Sequence, residues 1–228
     1  MTTTKAALSL LLATAATLTF TATSRAAVIF STYNGNDAGT SSPLNNNSGK
    51  AIGFTLPNPL QPADTGSYQF DGVSLRLSGT AASTSLVVKL FSNDGSNTPG
   101  TELGALTSTT FTLTSTAATY TFTPSAALTL TAGTTYWIAV QSTEPENTGA
   151  SLNWHTSNPQ PSSYSSVGVA TAGQIFGSGS NPSTWTQTSG VRNSLTIDAT
   201  PLPIPEPAAP ILTGAGLVSM AMLRRRSR

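Results

Sequence analysis

The chain has 228 residues, no cysteine and only 8% charged residues. This length and composition fit one ordinary domain with accessory segments, and they exclude a collagenous chain and a chain that is disordered throughout. The formal net charge is +1, but most basic residues lie at the two ends. Between residues 27 and 204, four basic side chains stand against eight acidic ones, which leaves a charge of −4 and no basic patch for phosphate groups. Nucleic-acid binding is therefore disfavoured.

Residues 1–26 have the organisation of a secretory signal peptide. Lys5 supplies the positive charge, residues 6–20 form a short apolar stretch, and Ser24 and Ala26 place small residues at the −3 and −1 positions of a cleavage site. An amphipathic first helix is the alternative, but no charged face accompanies the apolar one. We expect export, cleavage after Ala26, and a fold held by its hydrophobic core without disulfides.

Residues 27–200 are predicted to form a succession of short strands. Residues 70–78, which alternate between apolar and polar from Val73 onward, and residues 86–91 have the pattern of half-buried strands. Further strands are predicted at 28–33, 52–56, 106–113, 119–123, 128–130, 136–141, 151–155 and 194–198. Residues 158–190, rich in Ser, Gly and Pro, are expected to be a long excursion with one or two weak strands. The pattern predicts an all-β domain, an antiparallel β-sandwich of jelly-roll type.

Turn residues separate these predicted strands at four places: Asn93-Asp94-Gly95, Pro99-Gly100, Ala132-Gly133 and Asn158-Pro159. The first of these, extended to Asn97, also carries several oxygen donors. Because it lacks a twelve-residue loop with a terminal glutamate, a calcium site there is the weaker hypothesis and a hairpin turn the stronger one.

The three tryptophans are the candidates for recognition. Trp137 is out of phase with its apolar neighbours on a predicted strand, so its ring is expected to point outward, where it could stack on a sugar. Trp154 and Trp185 lie near loops and polar side chains, and could form a carbohydrate platform. The alternative is that each tryptophan fills the core of the sandwich.

Catalytic signatures are absent from the sequence. His155 is the only histidine, and a Ser-His-Asp triad would need it, but no G-x-S-x-G elbow accompanies it. Without cysteine there is no thiol nucleophile and no familiar structural zinc cluster. Glu144 and Glu146 flank a proline in what is best interpreted as a solvated turn. We expect no catalytic residue, no metal and no cofactor.

The C-terminal end has three parts. Residues 201–207 form a Pro-rich linker in which Pro205 and Pro207 hold the chain extended around Glu206. Residues 208–223 are uncharged, and as a helix they would reach about 24 Å, short of a hydrocarbon core of about 30 Å. Residues 224–228 contain four arginines, which favour a cytoplasmic C-terminus for a short membrane-spanning helix. These are Arg224, Arg225, Arg226 and Arg228.

This order of Pro205-Glu206-Pro207, apolar segment and arginine cluster resembles the PEP-CTERM sorting signal of Gram-negative bacteria that make exopolysaccharide. The resemblance implies recognition by an exosortase, cleavage near the motif, and transfer of the body to the cell surface or matrix. Ile204 stands where the signal usually has Val. A plain single-pass anchor that is never cut is the alternative.

The body resembles the choice-of-anchor R domain, a bacterial surface module, in residues 70–79, 86–103 and 128–142. The resemblance implies an exported, envelope-associated β-domain. Three functional hypotheses follow. The first is a non-catalytic surface or matrix protein that contributes to the exopolysaccharide layer. The second is a carbohydrate-binding module using Trp137, Trp154 and Trp185, and the third is a glycan-degrading enzyme with paired carboxylates.

Overall fold

The computed structural model describes residues 26–44, 48–56, 64–81, 85–108, 111–142, 151–157, 174–178, 185–188 and 193–203. This part of the chain is all-β, and every strand pairing in it is antiparallel. The prediction of an all-β antiparallel domain is confirmed. The predicted PEP motif, apolar segment and arginine tail lie outside the described residues, as do residues 1–25, Asn158-Pro159 and the two glutamates beside Pro145.

The described chain contains thirteen strands, which we number in chain order. They are β1 (Ala27–Ser31), β2 (Asp37–Pro43), β3 (Ser48–Thr55), β4 (Asp64–Gly79), β5 (Leu86–Asn93), β6 (Pro99–Thr107), β7 (Ala118–Pro124), β8 (Leu128–Thr131), β9 (Thr135–Ser142), β10 (Leu152–Ser157), β11 (Gln174–Ser178), β12 (Trp185–Thr188) and β13 (Leu195–Pro203).

The strands form two sheets that are joined at one edge. Sheet A has the order β1-β13-β4-β7, with β8 and β10 also paired to β4 and β2 paired to β10. Sheet B has the order β6-β5-β9-β3-β11-β12. The two sheets meet where β6 pairs with β7 through Leu106–Pro124 and Thr107–Thr123. One hydrogen-bonded path therefore runs from β1 to β12.

Strand β4 is the longest element and the centre of sheet A. Along one side it pairs with β13 and then β10, and along the other with β8 and then β7. Tyr68 and Phe70 face the core before Asp71, whereas Val73 and Leu75 face it afterwards. The phase changes because Asp71 is an extra residue opposite β13, a β-bulge between the pairs of Asp198 and Ala199. The bulge lets both halves of β4 contribute to the same core.

One hydrophobic core takes side chains from both sheets. Phe30 of sheet A and Phe54 of sheet B have ring centroids 6.0 Å apart, which links the sheets directly. Phe54 also contacts Tyr136 on the neighbouring strand, with centroids 6.0 Å apart. Each aromatic or aliphatic side chain that is fully buried in this way contributes about 1.5–3 kcal/mol to folding. This core makes up for the lack of cysteine.

Several sequence predictions of elements need correction. Strand β2 was missed because its segment has no apolar alternation. The strand predicted at 106–113 is instead β6, and Pro99-Gly100 begins it rather than forming a turn. Phe111 lies outside any strand and packs edge-on against Tyr120 and Phe122, with centroids 5.1 and 5.6 Å away. The last strand continues to Pro203, three residues into the predicted Pro-rich linker.

Other predictions are confirmed. The strands predicted around residues 52–56, 119–123, 128–130 and 136–141 are β3, β7, β8 and β9 within a few residues at their ends. The excursion predicted at 158–190 does contain two short strands, β11 and β12, which extend sheet B beyond β3. Among the described residues there is no helix of the length and hydropathy needed to cross a membrane.

Gly72 follows the bulge, and its lack of a side chain is required by the pairing of β4 with β7. A Cβ at this position would lie 2.7 Å from the Phe122 carbonyl oxygen, which is part of the backbone and cannot rotate away. We expect Gly72→Ala to lower the free energy of unfolding by about 1–3 kcal/mol in urea denaturation. Gly104→Ala is the control, because its Cβ would meet the flexible end of Leu128 at 3.3 Å. Equal stability of the two variants would contradict this account.

Lys50 is a charged residue on the core-facing side of β3, in phase with Ile52 and Phe54, and only 7% exposed. Burial lowers its pKa from 10.5 to about 8. A lowered pKa means that the unfolded chain binds more protons between these two values, so the stability of the protein rises with pH across that window. At pH 7 the buried ammonium therefore destabilises the fold.

We expect Lys50→Met to abolish the rise in the free energy of unfolding between pH 8 and 10.5, because methionine has no titratable group at this buried position. Urea unfolding at several pH values measures this effect. Lys89→Met, which changes a lysine paired with Glu102 at 2.9 Å, keeps the rise. A rise in stability between pH 8 and 10.5 that persists in Lys50→Met would contradict the assignment.

Candidate functional site

Trp137 has the orientation that the sequence predicted but not the exposure. Tyr136 and Ile138 enter the main core, and Trp137 points to the opposite face of sheet B. There it is 0% exposed, in a second apolar cluster with Ala51, Phe91 and Ala139. Its indole Nε1 donates a hydrogen bond to Asn93 Oδ1 at 3.0 Å. The prediction of an accessible stacking ring at this position is wrong, because other residues cover this face of the sheet.

Gly53 explains how the indole of Trp137 fits. Gly53 lies directly opposite Trp137 in the β3–β9 pairing. A Cβ at this glycine would lie 2.7 Å from ring atoms of Trp137, closer than a real Cβ approaches any atom. The missing side chain therefore provides the space in which the ring lies against β3.

Trp154 and Trp185 do not complete a carbohydrate platform. Trp154 is 0% exposed in the main core, where its Nε1 donates to the Ser194 carbonyl oxygen at 2.9 Å. Trp185 is partly buried and packs against the second apolar cluster. Trp154 thus belongs to the main core and the other two to the far side of sheet B. The alternative hypothesis, that the tryptophans are packing residues, is correct for Trp137 and Trp154.

The polar loop that follows β5 is a hairpin turn. The Asp94 carboxylate accepts hydrogen bonds from the Ser96 amide at 2.7 Å, from the Thr98 amide at 2.9 Å, and from the Thr98 hydroxyl. Gly95 and Asn97 adopt positive φ angles of 90° and 65°, which turns of this kind use. The oxygens of Asp94 hold the turn together. The hairpin prediction is confirmed, because β5 and β6 pair on either side of this turn.

A group of polar side chains on the outer face of sheet A is the strongest candidate site. We call it the polar cluster, and it consists of Tyr33, Asp37, Arg76, Ser78 and His155. Arg76 and Ser78 share a face of β4 because the intervening Leu77 is buried in the core. His155 comes from β10, the partner of the end of β4, and Asp37 from the start of β2. Three strands and one loop therefore meet at this point.

An ion pair forms the centre of the polar cluster. Arg76 Nε donates to both Asp37 oxygens at 2.9 and 3.1 Å, and Nη2 donates to Oδ2 at 2.7 Å. The hydrogen bonds from Arg76 hold the pKa of Asp37 below its ordinary value, against the opposing effect of burial. The side chains are 21% and 27% exposed, so the pair is accessible to a ligand. A fixed bidentate geometry of this kind orients both groups.

Tyr33 flanks the ion pair. The Arg76 guanidinium carbon lies 5.8 Å from the centre of the Tyr33 ring, within the range of a cation–π contact. Ser31 Oγ donates to the Tyr33 carbonyl at 3.0 Å and lies 3.1 Å from the Tyr33 amide, which donates to it. The phenol hydroxyl donates to the Gly35 carbonyl at 3.1 Å. The ring is thereby held in place although it follows the end of β1.

His155 and Ser78 form a close pair. His155 Nε2 and Ser78 Oγ lie 2.7 Å apart, so one donates to the other. Burial is the main reason that the pKa of His155 is lower than usual, and the positive charge of Arg76 adds to the effect. The negative charge of Asp37 acts in the opposite direction. The imidazole is accordingly neutral near pH 7.

The Ser78–His155 pair is placed better for hydrogen bonding than for acyl transfer. A triad needs a carboxylate that is hydrogen-bonded to the histidine, but within the described residues Asp37 is hydrogen-bonded to Arg76 and His155 to Ser78. The two amides that follow Ser78 are also engaged, with Gly79 donating to the Thr114 carbonyl and Thr80 to the Ser151 carbonyl, each at 2.8 Å. They are not available as oxyanion donors. In the described part of the chain no three His, Asp or Glu side chains could hold a metal ion.

A line of hydroxyl groups crosses sheet A beside the polar cluster. We call it the hydroxyl row. Its members are directly paired across four adjacent strands and are Ser31, Thr196, Ser74 and Thr121. The Ser31 and Thr196 hydroxyl oxygens lie 2.9 Å apart, and so do those of Ser74 and Thr121. Strands spaced about 4.8 Å apart give the row a length of about 14 Å.

Two carboxylates lie near the bulge on the same face. Asp71 Oδ2 accepts a hydrogen bond from the Thr200 hydroxyl at 2.7 Å. Burial raises the pKa of Asp198, and the neighbouring negative charge of Asp71 raises it further. This part of the outer face of sheet A is therefore acidic.

The polar cluster could not be predicted from the sequence, and the reason can be identified. Alternation along β4 does indicate that Arg76 and Ser78 share the outer face. Asp37, however, lies in a strand without apolar alternation, and its contact with Arg76 joins residues 39 positions apart. No local pattern carries that information.

Comparisons with known proteins give no further assignment. No family model matches the sequence, and neither a curated protein nor a solved structure matches the chain.

The single histidine of the chain provides a direct test of the polar cluster by NMR titration. We expect His155 to titrate below its ordinary pKa of about 6.5. Asp37→Asn lowers the pKa of His155 further because it removes a negative charge, whereas Arg76→Gln raises it because it removes a positive one. The measurement requires protein without a histidine tag.

The lowered pKa of His155 also determines the direction in which the stability of the protein changes with pH. Because the folded pKa of His155 is lowered, its contribution to stability is present above about pH 6.5 and is lost as the pH falls below that value. His155→Gln removes this dependence, and Lys89→Gln, at the other ion pair, leaves it unchanged. A pKa of His155 that neither Asp37→Asn nor Arg76→Gln moves would contradict the proximity of these groups.

Proposed function

We propose that the chain is a non-catalytic exported protein of the cell envelope, cell surface or extracellular matrix, sorted by its C-terminal PEP signal and associated with exopolysaccharide. The observation that carries the proposal is the order of Pro205-Glu206-Pro207, an uncharged apolar segment and an arginine cluster, directly after an all-β domain that contains no cysteine. The partners are an exosortase, the membrane before processing, and the polysaccharide afterwards.

The position of the last strand supports this proposal. Strand β13 lies inside sheet A between β1 and β4 and ends at Pro203, two residues before Pro205. Pro203 still pairs with Asp64 of β4. Cleavage at or beyond Pro205 therefore removes no strand from the described fold. The domain can keep its core whether or not the tail is attached.

The proposal also covers the type of β-domain and the segments at the two ends of the chain. The two sheets around one core would be a variant of the jelly-roll β-sandwich, preceded by the signal peptide of residues 1–26. Residues 208–223 would span the membrane as a helix, and Arg224, Arg225, Arg226 and Arg228 would keep the C-terminus cytoplasmic. The reasons for proposing a non-catalytic role are the pairing of Asp37 with Arg76 rather than with His155 and the engaged amides of Gly79 and Thr80.

A glycan-degrading enzyme is the second candidate, favoured by one specific observation. Asp71 and Asp198 lie near each other at the bulge, and the raised pKa of Asp198 is what a general acid needs. Hydrolysis of a polysaccharide panel that is lost in Asp198→Asn would support this candidate over the first.

We expect protein recovered from its own host to begin at Ala27 and to end near Pro205, as measured by intact mass spectrometry. Glu206→Ala should leave Arg228 in place and hold the protein in the membrane fraction, because the accessible tripeptide is altered while the apolar segment remains. Glu102→Gln removes an exposed carboxylate of sheet B and serves as the matched control. Wild-type protein that still carries Arg228 would show a plain membrane anchor and overturn the sorting proposal.

A further inference from the structure

We propose that the outer face of sheet A binds a neutral polysaccharide along the hydroxyl row and the polar cluster. This inference rests on the proposed function, since it names the surface and the class of polymer for the association with exopolysaccharide. It replaces the three tryptophans by a different set of residues, which lie on the outer face of sheet A.

The shape and chemistry of the face fit an extended sugar polymer. The hydroxyl row is straight because its members are directly paired from β1 to β7. Beside Thr121, the exposed Thr119 and Thr123 continue the hydroxyl surface along β7. Hydroxyl groups donate and accept hydrogen bonds equally well, as sugar hydroxyls do. A row about 14 Å long can therefore contact several units of one polymer.

The polar cluster gives the face a fixed recognition point beside the hydroxyl row. Tyr33 follows Ser31, the first member of the row, and Arg76 lies two residues beyond Ser74, about 7 Å away. In the described part of the chain, Arg76 bonds Asp37 through Nε and Nη2, and His155 bonds Ser78 through Nε2, so Nη1 and Nδ1 are the atoms proposed to meet the sugar. The Asp37 carboxylate accepts hydrogen bonds and is oriented in advance by Arg76. An aromatic ring beside oriented polar groups is the usual composition of a sugar site.

The charges on this face select a neutral polymer. Asp37 neutralises Arg76, and the lowered pKa of His155 leaves the imidazole uncharged near pH 7. Asp71 adds a further carboxylate to the same face, where it accepts a hydrogen bond from the Thr200 hydroxyl. An acidic polysaccharide would be repelled by these carboxylates. A polymer rich in hydroxyl groups and without charge meets no such penalty.

The outer face of sheet B is a poorer candidate for the same ligand. Trp137 and Ala139 are fully buried there, and Trp185 packs against them. The rings that would stack on a sugar are already in contact with protein. The hydroxyls of Thr119, Thr121 and Thr123, in contrast, lie at the surface of sheet A.

The test uses the processed protein from its host and two probes, the neutral and the acidic fractions of the exopolysaccharide of the same cells. Isothermal titration calorimetry measures binding to each fraction. We expect binding to the neutral fraction and at least tenfold weaker binding to the acidic one. Tyr33→Ala combined with Arg76→Gln should weaken binding at least tenfold, and Thr121→Val combined with Ser74→Ala about threefold to tenfold.

Two control variants on sheet B show whether a loss of binding is specific to the outer face of sheet A or follows from any substitution. Thr101→Val removes an exposed threonine hydroxyl from β6 of sheet B, and Lys89→Gln breaks the ion pair with Glu102 on that sheet. Both should bind as wild type does. An unchanged Tm for the Thr121→Val and Ser74→Ala protein shows that the loss is not caused by unfolding.

The outcomes distinguish this inference from the proposed function. Absence of binding to the neutral fraction, preference for the acidic fraction, or wild-type binding by both double variants overturns the inference. If the termini still show export and removal of the tail, the proposed function stands without it. If the recovered protein carries Arg228, the proposed function fails whatever the binding result.

Discussion

The fold depends on how one strand of sixteen residues, β4, is paired along both of its sides. The apolar side chains of β4 occupy even-numbered positions up to Phe70 and odd-numbered positions from Val73 onward, so an unbroken period of two would turn one of these sets away from the core. The extra residue at Asp71 shifts the alternation by one position, and Phe70 and Val73 therefore both face inward. Gly72 then allows β7 to approach at the point where β4 exchanges its pairing partner from β8 to β7. The core, the outer face and the polar cluster all follow from this arrangement.

The outer face of sheet A consists of the side chains that alternate with those of the core. Because Leu75 and Leu77 point inward, Arg76 and its neighbours in alternate positions must point outward. The same logic puts Trp137 on the outer side of sheet B, where a second layer of apolar contacts covers it. The two sheets therefore differ in character. One carries a polar surface of hydroxyls and paired charges, and the other carries a covered patch of aromatic side chains.

Much of the architecture could be predicted from the apolar side chains in alternate positions of β5, of β9 and of β4 after its bulge. The orientation of Trp137 was predictable for the same reason, but its burial was not, since Trp185 lies 48 positions away in the sequence. Strand β2 has no apolar period and depends on pairing with β10. The candidate site could therefore not be predicted, because Asp37 reaches it only through the pairing of β2 with β10. Long-range contacts, rather than local propensity, decide these points.

The position of β13 between two partners has a mechanical consequence. A domain tethered through its C-terminus transmits any pulling force first to Pro203 and then along β13. The hydrogen bonds of β13 to β1 and to β4 run across the strand direction, so such a force loads them together in shear instead of opening them one at a time. A strand at the edge of the sheet, held on one side only, would offer less resistance. The last strand thus gives a domain that is held through its C-terminus a point of attachment that resists a pull along the strand.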